Sequence, residues 1–347
     1  MTEEAFNINF EIPQFLIHHY YISGCISVSI NSFVFYLLLF HRNKMDSFRY
    51  YLMGFQLACS LVDIHLTFLM QPIPLFPLVS GYCRGVLSKL FNVTPHVCMT
   101  ILAFLVGAQV NSLNLCFLRK HQAIAKISSK HVLNKSTHRA IVFFFLTYTL
   151  TYTVPFYLAQ YPREYKLQMI DKKYPMYRHQ FEMLPNFGYY ELNAMILTYV
   201  IMIIGGCIQS TLTVSLLAFQ MYRALVFCSH NLSKTTLEKH KSALKSLVCQ
   251  FLTTPIAILP AMLIVSTLFV PFKGAQLFTQ YMLAVMTTHS TINCLVMIFT
   301  IPEFRAFVMF RSKEGKLQRH RKSVSFVVAN SNGSTRPFRI SNRRSVF

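Results

Sequence analysis

Leu192–Phe219 reads LNAMILTYVIMIIGGCIQSTLTVSLLAF, 28 residues without one charged side chain. A helix needs about 20 mainly apolar residues to cross the hydrocarbon core of a bilayer. Lipid offers backbone groups no water, so such a segment has to be helical. Six more stretches read the same way: Phe15–Phe40, Tyr50–Leu75, Thr94–Leu118, Ala140–Leu158, Ser246–Val270 and Leu277–Ile301. None of the seven contains Lys or Arg. The expected fold is an all-α membrane protein, a bundle of seven transmembrane helices.

Charge sets the orientation. Of 33 Lys and Arg residues, 25 fall on residues 41–49, 119–139, 220–245 and the tail from Pro302. Cations stay on the cytoplasmic side, which puts these segments inside. Residues 1–14, with Glu3, Glu4 and Glu11 and no cation, are then an extracellular N-terminus. Residues 15–301 form the membrane domain, 302–312 a short amphipathic juxtamembrane helix, and 313–347 a basic, disordered cytoplasmic tail. The first span is read as retained: its leading flank is acidic and its apolar run too long for a cleaved signal.

Composition agrees with one membrane domain: 53% hydrophobic, 13% charged, 32 Phe and no Trp. The net charge of +21 lies on the cytoplasmic segments. Its expected partners are anionic membrane lipids of the inner leaflet and acidic cytosolic proteins, with no nucleic acid. Nine Cys give no disulfide framework, and seven lie in or beside spans. Cys228 is a candidate for palmitoylation. Cys83 is the one outer-loop Cys; residues 159–191 contain none, so no bridge runs from the third helix to that loop. Of the sequons at Asn92, Asn134, Asn231 and Asn332, only Asn92 falls outside, as a candidate glycosylation site.

Residues 159–191 make a long loop with six Tyr, which reads either as a lid over an outer cavity or as a solvated connector. After Pro302, Phe304, Phe307 and Val308 stand at i, i+3, i+4, the pattern of a helix lying on the inner leaflet. Ser323, after a basic run, is a candidate phosphorylation site that would weaken lipid binding.

Asp63 is the one carboxylate inside a span. A charge at the centre of a membrane helix costs about 2.5–3.5 kcal/mol on insertion scales, so the residue is a functional candidate that wants a partner. Asn31, Asn293 and His289 lie at comparable depth. A conformational switch or ion site competes with a structural hydrogen bond. Gln109, Asn111, Asn114, Gln209 and Gln250 are neutral polar groups at lipid depth, which more often bridge helices than bind ligand. The histidines are scattered and form no metal-binding box, so neither metal nor cofactor is expected. Pro255 and Pro260 interrupt the sixth span, as a pivot for its cytoplasmic end or as a static kink.

The run Asp63-Ile64-His65-Leu66-Thr67-Phe68-Leu69-Met70-Gln71-Pro72-Ile73-Pro74-Leu75-Phe76-Pro77, followed by Gly81-Tyr82-Cys83, resembles the nematode serpentine chemoreceptors, class I. Phe117-Leu118-Arg119-Lys120-His121-Gln122, the stretch from Gln250 to Pro260, and His289 through Pro302-Glu303-Phe304-Arg305 resemble further motifs of that family. The resemblance implies a G-protein-coupled chemosensory receptor for a small, odorant-like external ligand, in a plasma or sensory-ciliary membrane. It implies coupling to a heterotrimeric G protein through Arg119, Lys120, His121, Gln122, Lys241 and Lys245. The switch would comprise Asp63, Asn31, His289, Asn293, Pro255 and Pro260, and the ligand pocket Gln109, Gln209 and Gln71. By analogy with rhodopsin-like receptors, Arg119 would hold the inner helix ends together; Leu118 stands where an acid precedes that Arg. A small-molecule transporter or ligand-gated channel is the rival reading, but it calls for several charges along a pathway. A membrane enzyme would need clustered acid–base groups, which the sequence lacks.

Overall fold

The computed structural model describes residues 8–40, 48–129, 132–191, 193–230, 232–267, 270 and 272–309. The first span is α1 (Gln14–Phe40). The second is α2 (Phe48–Ile64), continued by a π-helical turn, His65–Met70. Strands β1 (Pro72–Pro74) and β2 (Ser80–Cys83) and helix α3 (Val86–Phe91) follow. The third and fourth spans are α4 (Pro95–Ser128) and α5 (Lys135–Leu158). Helices α6 (Arg163–Lys173) and α7 (Arg178–Met183) and strand β3 (Gly188–Tyr189) precede the fifth span, α8 (Ala194–Phe227). The sixth span is α9 (Lys234–Thr253) plus α10 (Pro255–Ser266), and the seventh is α11 (Ala275–Met286) plus α12 (His289–Thr300). Helix α13 (Pro302–Val308) closes the described chain. Among the described residues, seven helices are long and apolar enough to cross a membrane.

Caps explain where the helices start. Thr94 Oγ1 accepts from Val97 N with Pro95 at the first helical position, and Asn134 and Asn193 Oδ1 accept from Thr137 N and Ile196 N at 2.7 and 2.8 Å. Several helices outrun the apolar stretches. Helix α4 continues ten residues past Leu118, because charged residues mark the edge of the lipid and do not stop a helix. The second span stops early: Met70 ends it and Pro72 starts a strand, against an expected end at Leu75. Proline has no amide to continue a helix.

We call outer the end of the bundle that carries the three strands. They form one antiparallel sheet, β1-β2-β3, with Pro72 opposite Cys83 and Ser80 opposite Tyr189. Residues 159–191 fold onto it. Ile170, Phe181, Phe187 and Tyr189 join Ile8, Ile73, Leu75 and Tyr82 in one buried cluster. Arg163 donates to the carbonyls of Leu184, Pro185 and Glu182 at 2.9, 2.5 and 3.0 Å, and Lys166 Nζ to that of Phe187 at 2.8 Å. Burial and the neighbouring Arg163 push the Lys166 ammonium pKa down. The segment is therefore packed and folded, unlike the solvated connector that is one of its two readings.

The inner half holds the larger core, with Phe55, Phe117, Met221, Leu247, Met297 and Phe304 all buried. Phe304 packs inward and Phe307 lies 6.4 Å from the ring of Phe33. Of the apolar stripe of α13, Phe304 is thus spent on the bundle, Phe307 is half-buried and Val308 is exposed. The basic tail with Ser323, and the sequons at Asn231 and Asn332, lie outside the described residues.

Helices α4 and α5 touch at Gly107. A Cβ there would stand 1.7 Å from the Tyr152 hydroxyl, which donates to the Ala103 carbonyl at 3.3 Å. Small residues at such crossings let helices approach in lipid. Gly107→Ala is expected to lower the melting temperature of the detergent-purified protein, and adding Tyr152→Phe to recover part of the loss; thermal-shift measurement on both variants checks this.

Candidate functional site

Helix α1 buries one stripe: Leu16, Tyr20, Ser23, Ser27, Asn31 and Val34. The spacing of three and four residues keeps them on one face. That face meets Asp63, which is only 3% exposed. Ser27 Oγ donates to Asp63 Oδ2, and Ser290 of α12 also hydrogen-bonds the carboxyl group. Asn31 Nδ2 donates to the Ser27 carbonyl at 2.8 Å and to Ser290 Oγ at 3.0 Å. Gln56 Nε2 donates to Asn31 Oδ1 and to Cys294 Sγ at 2.8 Å. Asn293 Nδ2 faces Cys59 Sγ at 4.0 Å. One polar cluster thus joins the first, second and seventh spans. Of the expected partners, Asn31 belongs to this network, Asn293 stands at its edge, and His289 does not touch Asp63. Ser27 and Ser290, the direct partners, carried no sequence signal beyond the stripe on α1.

His289 instead faces the third span: Gln109 Nε2 lies 3.2 Å from His289 Nδ1. Its Nε2 is buried without a hydrogen-bond partner, as are Gln56 Oε1, Asn114 Nδ2, Gln250 Oε1 and Asn293 Oδ1. Buried polar atoms are normally bonded, so these exceptions call for an explanation. Two helix interruptions lie in the same spans as Gln250, His289 and Asn293. In the sixth span α9 ends at Thr253 and α10 restarts with Pro255 at its first turn, while Pro260 sits buried inside α10. Thr254 between them keeps right-handed helical dihedrals, so the interruption is one residue long. In the seventh span the helix is interrupted at Thr287 and Thr288, whose hydroxyls donate to the Ala284 and Val285 carbonyls at 2.8 Å. No proline announces that second break. Helix α1 braces it: His19 Nε2 sits 3.0 Å from the Ala284 carbonyl, and Ser23 Oγ donates to that of Thr287 at 3.0 Å.

The inner end is closed. Thr300 Oγ1 of α12 donates to Ser246 Oγ of α9 at 2.8 Å, Gln250 Nε2 donates to the same oxygen at 3.0 Å, and Ser242 Oγ donates to the Thr300 carbonyl at 3.4 Å. Leu244 and Leu247 pack into the inner core. The Arg119 guanidinium lies 5.9 Å from the Tyr51 ring and Lys120 Nζ 5.1 Å from that of Phe48, a cation–π contact range. Lys241 and Lys245 are exposed. His121 and Gln122 are buried, and Gln122 Oε1 accepts from Leu133 N at 2.9 Å. Those two shape the inner loop in this conformation and offer no docking surface, unlike the role expected for them.

The three expected pocket residues are not brought together. Gln71 is buried in a left-handed turn (φ 45°) at the end of the π-helical segment, and its Nε2 donates to the Thr67 carbonyl of its own helix at 2.9 Å. Gln209 Nε2 donates to Thr213 of its own helix at 3.2 Å. Gln109 alone reaches another candidate. Asn111 and Asn114 bridge helices, to Thr149 at 2.8 Å and to Ser210 at 2.9 Å. Asn92 is exposed at the end of α3. A groove of about 260 Å³ lined by Tyr50, Tyr51, Gly54, Ser112 and Leu115 opens between α2 and α4. It is shallow and lies apart from the Gln109–His289 pair. No cluster of three or more His, Cys, Asp or Glu able to hold a metal occurs among the described residues.

Seven spans, an intramembrane carboxylate tied to the first and seventh helices, and a proline-broken sixth helix make up a receptor-like bundle. A family model described as serpentine type seven-transmembrane G-protein-coupled chemoreceptor Sri matches residues 6–308. The chain belongs to the Sri family of serpentine chemoreceptors. That is a family of receptors, and this Sri-family chain is a multi-pass membrane protein of the G-protein-coupled chemosensory type. Its fold is similar to that of squid rhodopsin, with a TM-score of 0.55 and 11% sequence identity, over 89% of this chain and 84% of the rhodopsin. No curated protein sequence matches it.

Substituting the network separates its bonds from its bulk. Ser27→Ala and Ser290→Ala are each expected to cost about 1 kcal/mol of stability. In an Asp63→Asn background both losses should shrink, since the amide offers one acceptor oxygen where the carboxyl group offers two. A double-mutant cycle in thermal unfolding measures the difference.

Proposed function

We propose that this receptor binds a small, odorant-like external ligand between its helices and signals by moving the cytoplasmic ends of the sixth and seventh spans. The observation that carries this reading is the pairing of two helix breaks with a latch. The sixth span breaks at Thr254–Pro255 and the seventh at Thr287–Thr288. One face of α9 below its break is held to α12 through Ser242, Ser246 and Thr300. A segment hinged at one end and held by a few hydroxyl bonds at the other swings at the cost of those bonds, each worth about 1 kcal/mol. The unpartnered polar atoms of Gln250, Asn293 and His289 sit near the breaks, where a second arrangement would give them partners.

In this reading Gln109 and His289 are the polar floor of the ligand site. A ligand that hydrogen-bonds His289 Nε2 only in the open arrangement shifts the population toward it. Asp63, Asn31 and Asn293 transmit the change between the second and seventh spans. Release of α9 then uncovers Arg119 and Lys120 beside the already exposed Lys241 and Lys245, and together they meet the acidic surface of a heterotrimeric G protein, with inner-leaflet lipid beside them. The working membrane is the plasma membrane, of a sensory cilium by family resemblance, with the N-terminus outside.

Loosening the latch should raise signalling without ligand. Ser246→Val or Thr300→Val is expected to raise basal output several-fold in cells co-expressing a promiscuous G-protein subunit, read as calcium at equal surface expression. Arg119→Ala should abolish ligand-evoked calcium while surface expression persists. Unchanged basal output in both latch variants would overturn the hinge. A ligand-evoked current in cells lacking the G protein would favour a channel instead.

A further inference from the structure

Cys83 and Cys98 lie together at the outer end of the bundle. Cys83 ends β2 and Cys98 stands in the first turn of α4, two elements packed against each other. Both belong to one apolar cluster with Leu66, Met70 and Leu102. The backbone on each side is held. The residues after Cys83 tie back to the end of the second span, Arg84 N to the Gln71 carbonyl at 3.1 Å and Gly85 N to that of Met70 at 2.9 Å. Gly85 admits no side chain, since a Cβ would stand 2.2 Å from the Leu69 carbonyl oxygen. The Cys98 carbonyl is 2.8 Å from His65 Nε2. All nine cysteines are free thiols in this structure. Cys59, Cys116 and Cys294 are buried in the membrane half of the core, and Cys228 at the inner end of α8. The Cys83–Cys98 pair is the one that stands at the outer edge, with Cys83 half-buried and Cys98 fully buried.

We infer that Cys83 and Cys98 form a disulfide that fastens the β1–β2 hairpin to the third helix. The inference rests on the orientation adopted above, which gives this end of the bundle to the secretory lumen, where disulfides form and persist. The oxidant is the disulfide of a thiol oxidoreductase in that compartment. The accessible Cys83 thiolate attacks it, giving a mixed disulfide and releasing one oxidoreductase thiolate. The Cys98 thiolate then attacks Cys83 Sγ and expels the second. Two electrons and two protons pass to the oxidoreductase, which leaves as a dithiol. Thiols packed in one cluster need only approach to the ~2.0 Å of a bond. The sheet, and the cap folded on it, would then be anchored covalently to α4, the span that carries Gln109.

The wild-type chain answers this directly. Protein from intact-cell membranes is alkylated without reductant, digested and analysed by mass spectrometry. A peptide joining Cys83 to Cys98 is expected; alkyl label on both residues overturns the bridge. Cys83→Ser, Cys98→Ser and the double variant supply a second measurement. Each single variant should lose as many degrees of melting temperature as the double, and dithiothreitol should bring wild type down to that value while leaving the variants unmoved. Additive losses, or a wild type indifferent to reductant, mean packing only and overturn the proposal. A tag ahead of Met1 reports orientation separately. Label on both cysteines with the tag reached on unpermeabilised cells rejects the bridge and spares the receptor reading. A tag hidden until permeabilisation rejects both.

Discussion

A backbone amide or carbonyl in hydrocarbon has no solvent to bond, and this constraint governs the molecule more than any single contact. It makes the spans helical and makes each interruption costly. The seventh span shows how the cost is met. At Thr287 and Thr288 the helix opens, and the exposed carbonyls are taken by the threonine hydroxyls, by His19 and by Ser23. In the sixth span Thr254 N returns to the Phe251 carbonyl and Ala257 N to that of Thr254, so the gap before Pro255 stays narrow. The breaks are tolerated where neighbours or short-range bonds close them, and α1 exists partly as such a neighbour.

The same constraint organises the polar interior. Asp63 is acceptable at depth because Ser27 and Ser290 bond it and Asn31 bonds them in turn. The arrangement ties three helices through hydroxyl and amide groups, with Asn31 alone bonding Ser27, Ser290 and Gln56. Such a network specifies one packing of the three helices. Within and beside it Gln56 and Asn293 each keep one oxygen unpartnered.

The bundle was legible because membrane insertion writes itself into composition: seven apolar stretches and one-sided cations follow from length and charge alone. Boundaries were less so, since Leu118 ends the lipid segment while α4 runs on to Ser128. Prolines marked the sixth-span break and the end of the second. The seventh-span break had only a Thr pair to announce it, and threonine pairs are ordinary. Asp63 was conspicuous as the sole intramembrane carboxylate, whereas its partners Ser27 and Ser290 are among many serines, and only the folded register selects them. Gln71 and Gln209 looked equivalent to Gln109, but a side chain's direction depends on helix rotation, which apolar composition leaves open. The fold of residues 159–191 depends on a partner strand about a hundred residues upstream, so no local pattern could reveal it.

Helices α4 and α8 have 34 residues each. At 1.5 Å per residue each is about 50 Å long, where the hydrocarbon is about 30 Å thick. Both begin at the outer rim, so the excess projects on the opposite side. The side of the bundle away from the sheet therefore carries two rods standing some four turns beyond the hydrocarbon, and whatever approaches from that side meets a fork before it meets a floor.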